Sequence, residues 1–257
     1  MVQFRSVATA RGWQWIIEGF TLFKKNPPMW LMITLGLFLA FKLIMFLPFI
    51  GFAAILLAPI ILVGLMEGCR ALDLGQPLKP SYLLSGFVRN TGALATLGAI
   101  YLIGNLLIIL VIGLLGGEAV MQVLKFSLEK KITPENADLI RDAVSTATLA
   151  VLAGSLLSIP LMMACWFSPL LIYLHDMKPL QAMGVSFKAC VQNTMPFLIY
   201  GGVFFLVLFL VTPISMATRI FDLGMWLLAP LAIPSIYTSY KDIFPAELAT
   251  PPAATSE

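Results

Sequence analysis

The sequence predicts an all-α membrane protein with six transmembrane helices, arranged as three helical hairpins that are each preceded by a cytoplasmic interfacial amphipathic helix. Composition is the first reason: 60% of the 257 residues are hydrophobic, 11% are charged, and the mean hydropathy is +0.94. A soluble domain carries about 25% charged residues, so most of this surface must face lipid. The second reason is that the apolar residues form runs long enough to cross a bilayer core about 30 Å thick, which takes about 20 helical residues.

A single transmembrane domain is expected over residues 1–245, followed by a disordered tail at residues 246–257, which are rich in Ala, Thr and Pro. Pro48 with Gly51 separates the first two spans, and Asp222 with Gly224 separates the last two. The predicted spans cover residues 29–47, 50–70, 92–117, 144–174, 195–218 and 223–241.

Residues 118–142 form the one sizeable segment expected outside the membrane, a helical insertion between the third and fourth spans. Thr133-Pro134-Glu135 is typical of a helix start, with an N-cap hydroxyl, a proline at the first helical position and an acid in the first turn. We therefore expect two short helices here that extend the spans outward.

The distribution of positive charge predicts that both termini lie in the cytoplasm. Ten of the 16 Lys and Arg residues fall on the N-terminal side of the predicted spans. Cytoplasmic loops carry an excess of Lys and Arg, and an even number of spans returns the C-terminus to the same side. The expected location is the bacterial inner membrane.

An amphipathic helix precedes the first, third and fifth spans. Phe20 and Asn26 have the same spacing as Phe187 and Asn193, and a shorter version ends at Asn90. The apolar face of the first helix consists of Trp13, Ile16, Ile17, Phe20 and Phe23, and its polar face of Gln14, Glu18, Thr21 and Lys25.

The ends of the second, fourth and sixth spans are also alike. Asp73, Asp176 and Asp242 are each followed within a few residues by a proline. The pattern favours one unit, an interfacial helix followed by two spans, used three times. The alternative is that one membrane boundary has shaped three unrelated helices in the same way.

The interfacial helices are expected to lie on the membrane surface, with their apolar sides in the headgroup region and their cations near anionic lipid. A membrane protein or a second copy of the chain is a further expected partner, whereas nucleic acid is not. The residues predicted to face lipid at the interface are Trp13, Trp15, Lys24, Lys25, Arg89 and Lys188.

Four polar residues inside the predicted spans are candidate functional positions, since burying such groups in lipid is costly. Lys42 lies about four residues from the end of its span, from which a lysine can reach the interface. Glu67 and Arg70 can pair on one helix face. Asn105 can hydrogen-bond between helices.

The opening residues carry a resemblance. Residues 12–27, followed by Trp30 and residues 64–73, resemble an uncharacterised family of bacterial multi-pass inner-membrane proteins. They are also loosely similar to the membrane domain fused to some glycerophosphodiester phosphodiesterases. The clear match covers about a third of the chain, and the resemblance implies no catalytic residues.

No catalytic or metal-binding motif is found in the sequence: GxSxG, GxxxxGK[ST], GxGxxG and HExxH are absent, and His175 is the one histidine. We expect no catalytic residues, no metal and no cofactor. The favoured function is a non-enzymatic scaffold or accessory protein that binds lipid or a membrane partner. The alternative is a small-molecule transporter or channel, which the proline-broken even spans and Asn105 favour.

Overall fold

The computed structural model describes residues 2–45, 51–129, 137–218 and 223–245. These residues form α-helices, one 3-10 helix (Pro80–Leu84) and short connections. The α-helices are α1 (Arg11–Lys25), α2 (Pro27–Met45), α3 (Gly51–Asp73), α4 (Ser85–Val88), α5 (Thr91–Glu129), α6 (Ala137–Trp166), α7 (Ser168–His175), α8 (Pro179–Gln192), α9 (Thr194–Thr218) and α10 (Leu223–Ile243).

The predicted all-α membrane class is confirmed. Helix α10 covers the sixth predicted span, and none of the apolar segments found among the described residues lies within it. Five helical segments of the described residues meet the length and hydropathy expected of a span, and they coincide with the first five predicted spans: Pro27–Ile44, Phe52–Asp73, Thr91–Phe126, Asp138–His175 and Thr194–Pro213.

The insertion between the third and fourth spans is helical wherever the structure describes it. Helix α5 continues to Glu129 and α6 starts at Ala137, and that this segment lies outside the membrane stays a prediction. Helix α5 changes direction at Gly116, where φ is −166° and ψ is 28°. The predicted helix start at Thr133, the separators Pro48 and Asp222, and the tail at residues 246–257 lie outside the described residues.

The chain divides into two compact units, where the sequence predicted one domain. The smaller unit is Ala99–Met163, and the larger one joins Met1–Gly98 to Ala164–Glu257. In the smaller unit α5 and α6 run antiparallel, since Gly104 lies against Leu161 while Gly154 lies against Ile112. Glycines at these positions let the two helices approach closely.

The centre of the larger unit is formed by α3, α7 and α10, the last helices of the three predicted hairpins. Helix α3 contacts both α7 and α10. Helices α7 and α10 meet where His175 Nε2 and Tyr240 Oη lie 3.1 Å apart. Just before α7, the ring of Phe167 packs against Tyr240 at 5.9 Å between centroids.

Each interfacial segment packs on one of these three helices. The 3-10 helix and α4 contact α3, α8 contacts α7, and α1 contacts α10. Glycines let the backbones approach closely at these contacts. A Cβ at Gly19 would lie 2.6 Å from the backbone nitrogen of Ser235 on α10. A Cβ at Gly64 would lie 2.6 Å from the Cα of Leu83 in the 3-10 helix. The helix that opens the chain therefore packs on the helix that ends it.

Candidate functional site at the end of α10

Asp242, near the end of α10, presents a buried carboxylate to three side chains from the start of the chain. Arg5 Nη2 donates to Oδ1 over 2.7 Å, and Trp15 Nε1 donates to Oδ2 over 2.9 Å. Arg11 Nε also donates to Oδ2, and Arg5 Nε donates to the main-chain oxygen of Asp242. Because the Asp242 side chain is only 6% exposed, two guanidinium groups and an indole replace the water around its charge.

These donors hold Asp242 in its ionised form. Burial alone would raise its pKa, but the hydrogen bonds from Trp15, Arg11 and Arg5 outweigh burial, and the pKa lies below its ordinary value of 3.8. The carboxylate is therefore charged at neutral pH and accepts hydrogen bonds from all three donors.

Hydrogen bonds to two other residues, Ile243 and Asn193, also hold the segment before α1. The main-chain N–H of Arg5 donates to the oxygen of Ile243 over 3.0 Å. Asn193, which is fully buried between α8 and α9, accepts from the N–H of Val7 over 2.9 Å and donates to the oxygen of Arg5 over 3.0 Å. The start of the chain is thus bonded to the ends of both α10 and α8.

A cavity of about 560 Å³ opens beside Asp242, between the N-terminal segment, α1 and the ends of α3 and α10. On its far wall Asp73 pairs with Lys241 over 2.5 Å and accepts from the hydroxyl of Tyr237 over 3.2 Å. Lys25 Nζ donates to the main-chain oxygen of Leu72 over 2.7 Å. The charged residues lining the cavity are Arg5, Arg11, Lys25 and Lys241, with Glu18, Asp73 and Asp242.

Helix α1 has three faces. The first is buried in the protein and consists of Gly12, Trp15, Gly19 and Leu22. The second carries the exposed apolar side chains Trp13, Ile17 and Phe20. The third lines the cavity with Arg11, Glu18, Thr21 and Lys25. A helix with separate protein-facing, apolar and charged faces can lie where protein, lipid and water meet.

The structure separates the residues of α1 that were predicted together to face lipid. Trp13 is half exposed on the apolar face, and Lys24 is exposed beside it, with its Nζ 4.4 Å from the centre of the Phe20 ring. Lys25 lines the cavity. The prediction for Trp15 is wrong, because its side chain is fully buried and its indole donates to Asp242.

The other two predicted interfacial cations lie on separate segments. Arg89 Nη2 donates to Asp176 over 2.5 Å, and Asn90 Nδ2 donates to the other carboxylate oxygen over 2.8 Å. Hydrogen bonds from Asn90 and Arg89 lower the pKa of Asp176. Lys188 is exposed on α8. Asp176 thus accepts from an arginine, as Asp242 does, but in a more exposed setting.

The four polar positions within the spans do not meet at one site. Lys42 Nζ lies 5.5 Å from the centre of the Phe38 ring on its own helix. Arg70 Nη1 lies 3.5 Å from Glu67 Oε1, so these two pair on α3. The amide of Asn105 donates to Tyr101 on the preceding turn of α5 over 2.8 Å, a bond within one helix.

At the break between α6 and α7, a backbone N–H that has left the helical pattern is bound by a side chain of the protein. At Phe167 the regular helical bonding is interrupted, and its N–H donates to Ser186 Oγ on α8 over 3.0 Å. Both residues are fully buried. This N–H is therefore bound by the protein and does not face a ligand.

Sequence reasoning missed the cluster around Asp242, although part of its signal was present. The recurrence of Asp73, Asp176 and Asp242 at the ends of the even spans marked these carboxylates, but nothing in the pattern showed that Arg5 and Arg11 would reach the last of them. In the described part of the chain, no group of three or more His, Cys, Asp or Glu side chains is arranged to hold a metal ion.

Comparison with known proteins gives one informative match. No family model matches the sequence, and no solved structure matches it. The chain is 30% identical over 212 residues to a protein of Burkholderia thailandensis that is named a probable inner membrane protein. The similarity covers 79% of this chain and 76% of that protein.

Proposed function

The chain belongs to the same family as this Burkholderia inner membrane protein, and on that premise we propose that it is a non-enzymatic scaffold or accessory protein that binds anionic lipid through its interfacial helices. Membership in a family of bacterial inner membrane proteins agrees with the resemblance of the opening residues. The looser similarity to the membrane domain of glycerophosphodiester phosphodiesterases stays a prediction.

The three faces of α1 are the observation that carries the proposal. Its exposed apolar residues Trp13, Ile17 and Phe20 match the part of an interfacial helix that enters the headgroup region. Lys24 and Lys25 end the same helix. Each cation near an anionic membrane surface contributes about 1 kcal/mol of attraction. Helix α1 thus carries an apolar surface that can enter the headgroup region and, in its last turn, two cations that can attract anionic headgroups.

A hydrogen bond between the chain ends supports six spans. The N–H of Arg5 donates to the oxygen of Ile243 over 3.0 Å. Five crossings would put these two residues on opposite sides of a bilayer core about 30 Å thick. An even number of crossings removes that conflict. Helix α10, which the five apolar segments do not include, is then the sixth span.

The contacts of the interfacial segments support three repeated hairpins. Each segment packs on the last helix of the hairpin before it, and α1, which has no hairpin before it, packs on α10. A cyclic arrangement of three like units accounts for all three contacts. Ten of the 16 Lys and Arg residues lie on the side of the termini, and by the positive-inside rule this count favours the cytoplasmic side, where anionic lipid is exposed.

The transporter alternative receives less support. Discontinuous helices in transporters offer unpaired backbone groups to the substrate. At the break between α6 and α7, Ser186 already binds the N–H of Phe167. Asn105, the other residue that motivated a transport path, donates within its own helix.

The proposal is tested by placing the full chain in nanodiscs of phosphatidylcholine, with and without phosphatidylglycerol. We expect a higher unfolding temperature with the anionic lipid, and we expect this difference to shrink at high salt because exposed charges are screened. Equal unfolding temperatures in both lipids would contradict lipid binding. A reporter fused after Glu257 should be active only in the cytoplasm.

A further inference from the structure

We propose that the cavity between α1, α3 and α10 binds the phosphodiester headgroup of an anionic phospholipid. This inference rests on the proposed function and assigns one defined site to it. A pocket of about 560 Å³ lies within the usual range for small-molecule sites, roughly 300–1,000 Å³. Four of its lining side chains are cations from three different parts of the chain.

These cations retain donors after their contacts in the described part of the chain are counted. Arg5 donates through Nε and Nη2 to Asp242, which leaves three of the five N–H groups of a guanidinium. Lys25 donates to the oxygen of Leu72 and Lys241 to Asp73, each through one of three ammonium hydrogens. A phosphate, with several acceptor oxygens, matches such a donor-rich wall.

At the opening of the cavity, the most exposed charged side chains are cations. The Arg5 side chain is 56% exposed and that of Lys241 is 50% exposed, whereas Asp242 is recessed behind its donors. Glu18 is the exposed acid of the lining, and Arg11 pairs with it over 3.0 Å. Lys25 donates to a neutral carbonyl, so its charge is left for an anion.

The position of α1 favours a lipid over a soluble phosphate compound. The exposed apolar residues Trp13, Ile17 and Phe20 lie on the same helix as the cavity-lining Lys25. A phospholipid could therefore place its acyl chains against the apolar face while its headgroup enters the cavity. A soluble phosphate ester would gain the same hydrogen bonds without the apolar contact.

The test compares two neighbouring lysines on different faces of α1. Lys25 lines the cavity, while Lys24 lies beside Phe20 on the apolar face. The full chain in a neutral detergent is titrated with dioctanoyl phosphatidylglycerol, and native mass spectrometry counts the bound lipids. Dioctanoyl phosphatidylcholine and glycerol 3-phosphate serve as parallel ligands. The variants are Lys25→Gln, Lys24→Gln and Lys25→Arg, each checked by its unfolding temperature.

We expect saturable binding of one phosphatidylglycerol per chain. Lys25→Gln should weaken it about tenfold, the effect of one charge-assisted hydrogen bond, and Lys25→Arg should retain it. Lys24→Gln should change it less than about twofold, because a neutral detergent offers no anionic surface to a cation that lies outside the cavity. Equal losses in the two Gln variants would overturn the site. Equal binding of glycerol 3-phosphate would replace the lipid with a soluble ligand and also overturn it.

The outcomes separate this inference from the proposed function. If the wild-type chain in nanodiscs shows no preference for anionic lipid, the proposed function itself fails. If that preference persists while Lys24→Gln and Lys25→Gln weaken binding equally, the surface as a whole binds lipid and the cavity is not the site.

Discussion

Replacing Asp242 with Asn removes the charge that joins the start of the chain to the end of α10. The amide retains one acceptor oxygen and nearly the same volume, so the change tests charge and hydrogen bonding rather than packing. Trp15, Arg11 and Arg5 all donate to the carboxylate in the wild-type chain. We expect the variant to fold and to be less stable.

The magnitude follows from the burial of each donor. Trp15 is 0% exposed, so its N–H has no access to water, and losing a hydrogen bond to a charged group costs about 1.5–3 kcal/mol. Arg5 and Arg11 are 56% and 28% exposed and can regain water, so each contributes less than about 1 kcal/mol. The expected loss is about 2–4 kcal/mol, a fall of roughly 5–15 °C in unfolding temperature.

Thermal unfolding in detergent, followed by tryptophan fluorescence, measures this loss. Asp176→Asn is the matched control, because Asp176 also ends a predicted even span and accepts from an arginine. Its side chain is 62% exposed, so the control should lose less than about 1 kcal/mol. If the two variants lose the same amount, burial does not set the strength of the Asp242 cluster and the reasoning is wrong.

Three further predictions concern stability, each measured as an unfolding temperature. The pKa of Asp242 is lowered below 3.8 in the folded chain, so its carboxylate stabilises the fold above pH 3.8, and this stabilisation is lost as the pH falls through the lowered pKa. The unfolding temperature of Asp242→Asn should lack this dependence on pH. Gly19→Ala puts a Cβ 2.6 Å from the backbone of α10 and should cost about 1–3 kcal/mol, whereas Gly36→Ala, with no atom within 4 Å, should not destabilise. Ser186→Ala removes the acceptor of the buried Phe167 N–H and should cost about 1–3 kcal/mol.

The helices could be predicted because lipid imposes strong local rules. A span must be long, apolar and internally hydrogen-bonded, and these properties are visible in any single stretch of sequence. The separate faces of α1 were visible for the same reason: Trp13, Ile17 and Phe20 recur at helical spacing. The buried face, with Trp15 and Gly19, was not recognised because a tryptophan near a membrane boundary suits lipid as well as protein.

The Asp242 cluster depends on contacts between residues more than 200 positions apart, such as Arg11 with Asp242. Local periodicity carries no information about such pairs. Arg5 and Arg11 were counted as part of the positive charge that sets orientation, and a count does not say which carboxylate a cation meets. The same holds for Lys25, whose neighbour Lys24 has the same charge but faces a different environment.

The cyclic order of contacts explains why this cluster falls at the chain ends. In the proposed arrangement of three hairpins, each interfacial segment packs on the helix that closes the preceding hairpin, and α1, which has no hairpin before it, packs on α10. That contact has no covalent connection nearby, unlike the loops that join α3 to the 3-10 helix or α7 to α8. Hydrogen bonds from Arg5 and Arg11 to the buried carboxylate of Asp242 join the start of the chain to α10 instead. Asp242 is more buried than Asp73 and Asp176, and it is found where the sequence supplies no linker.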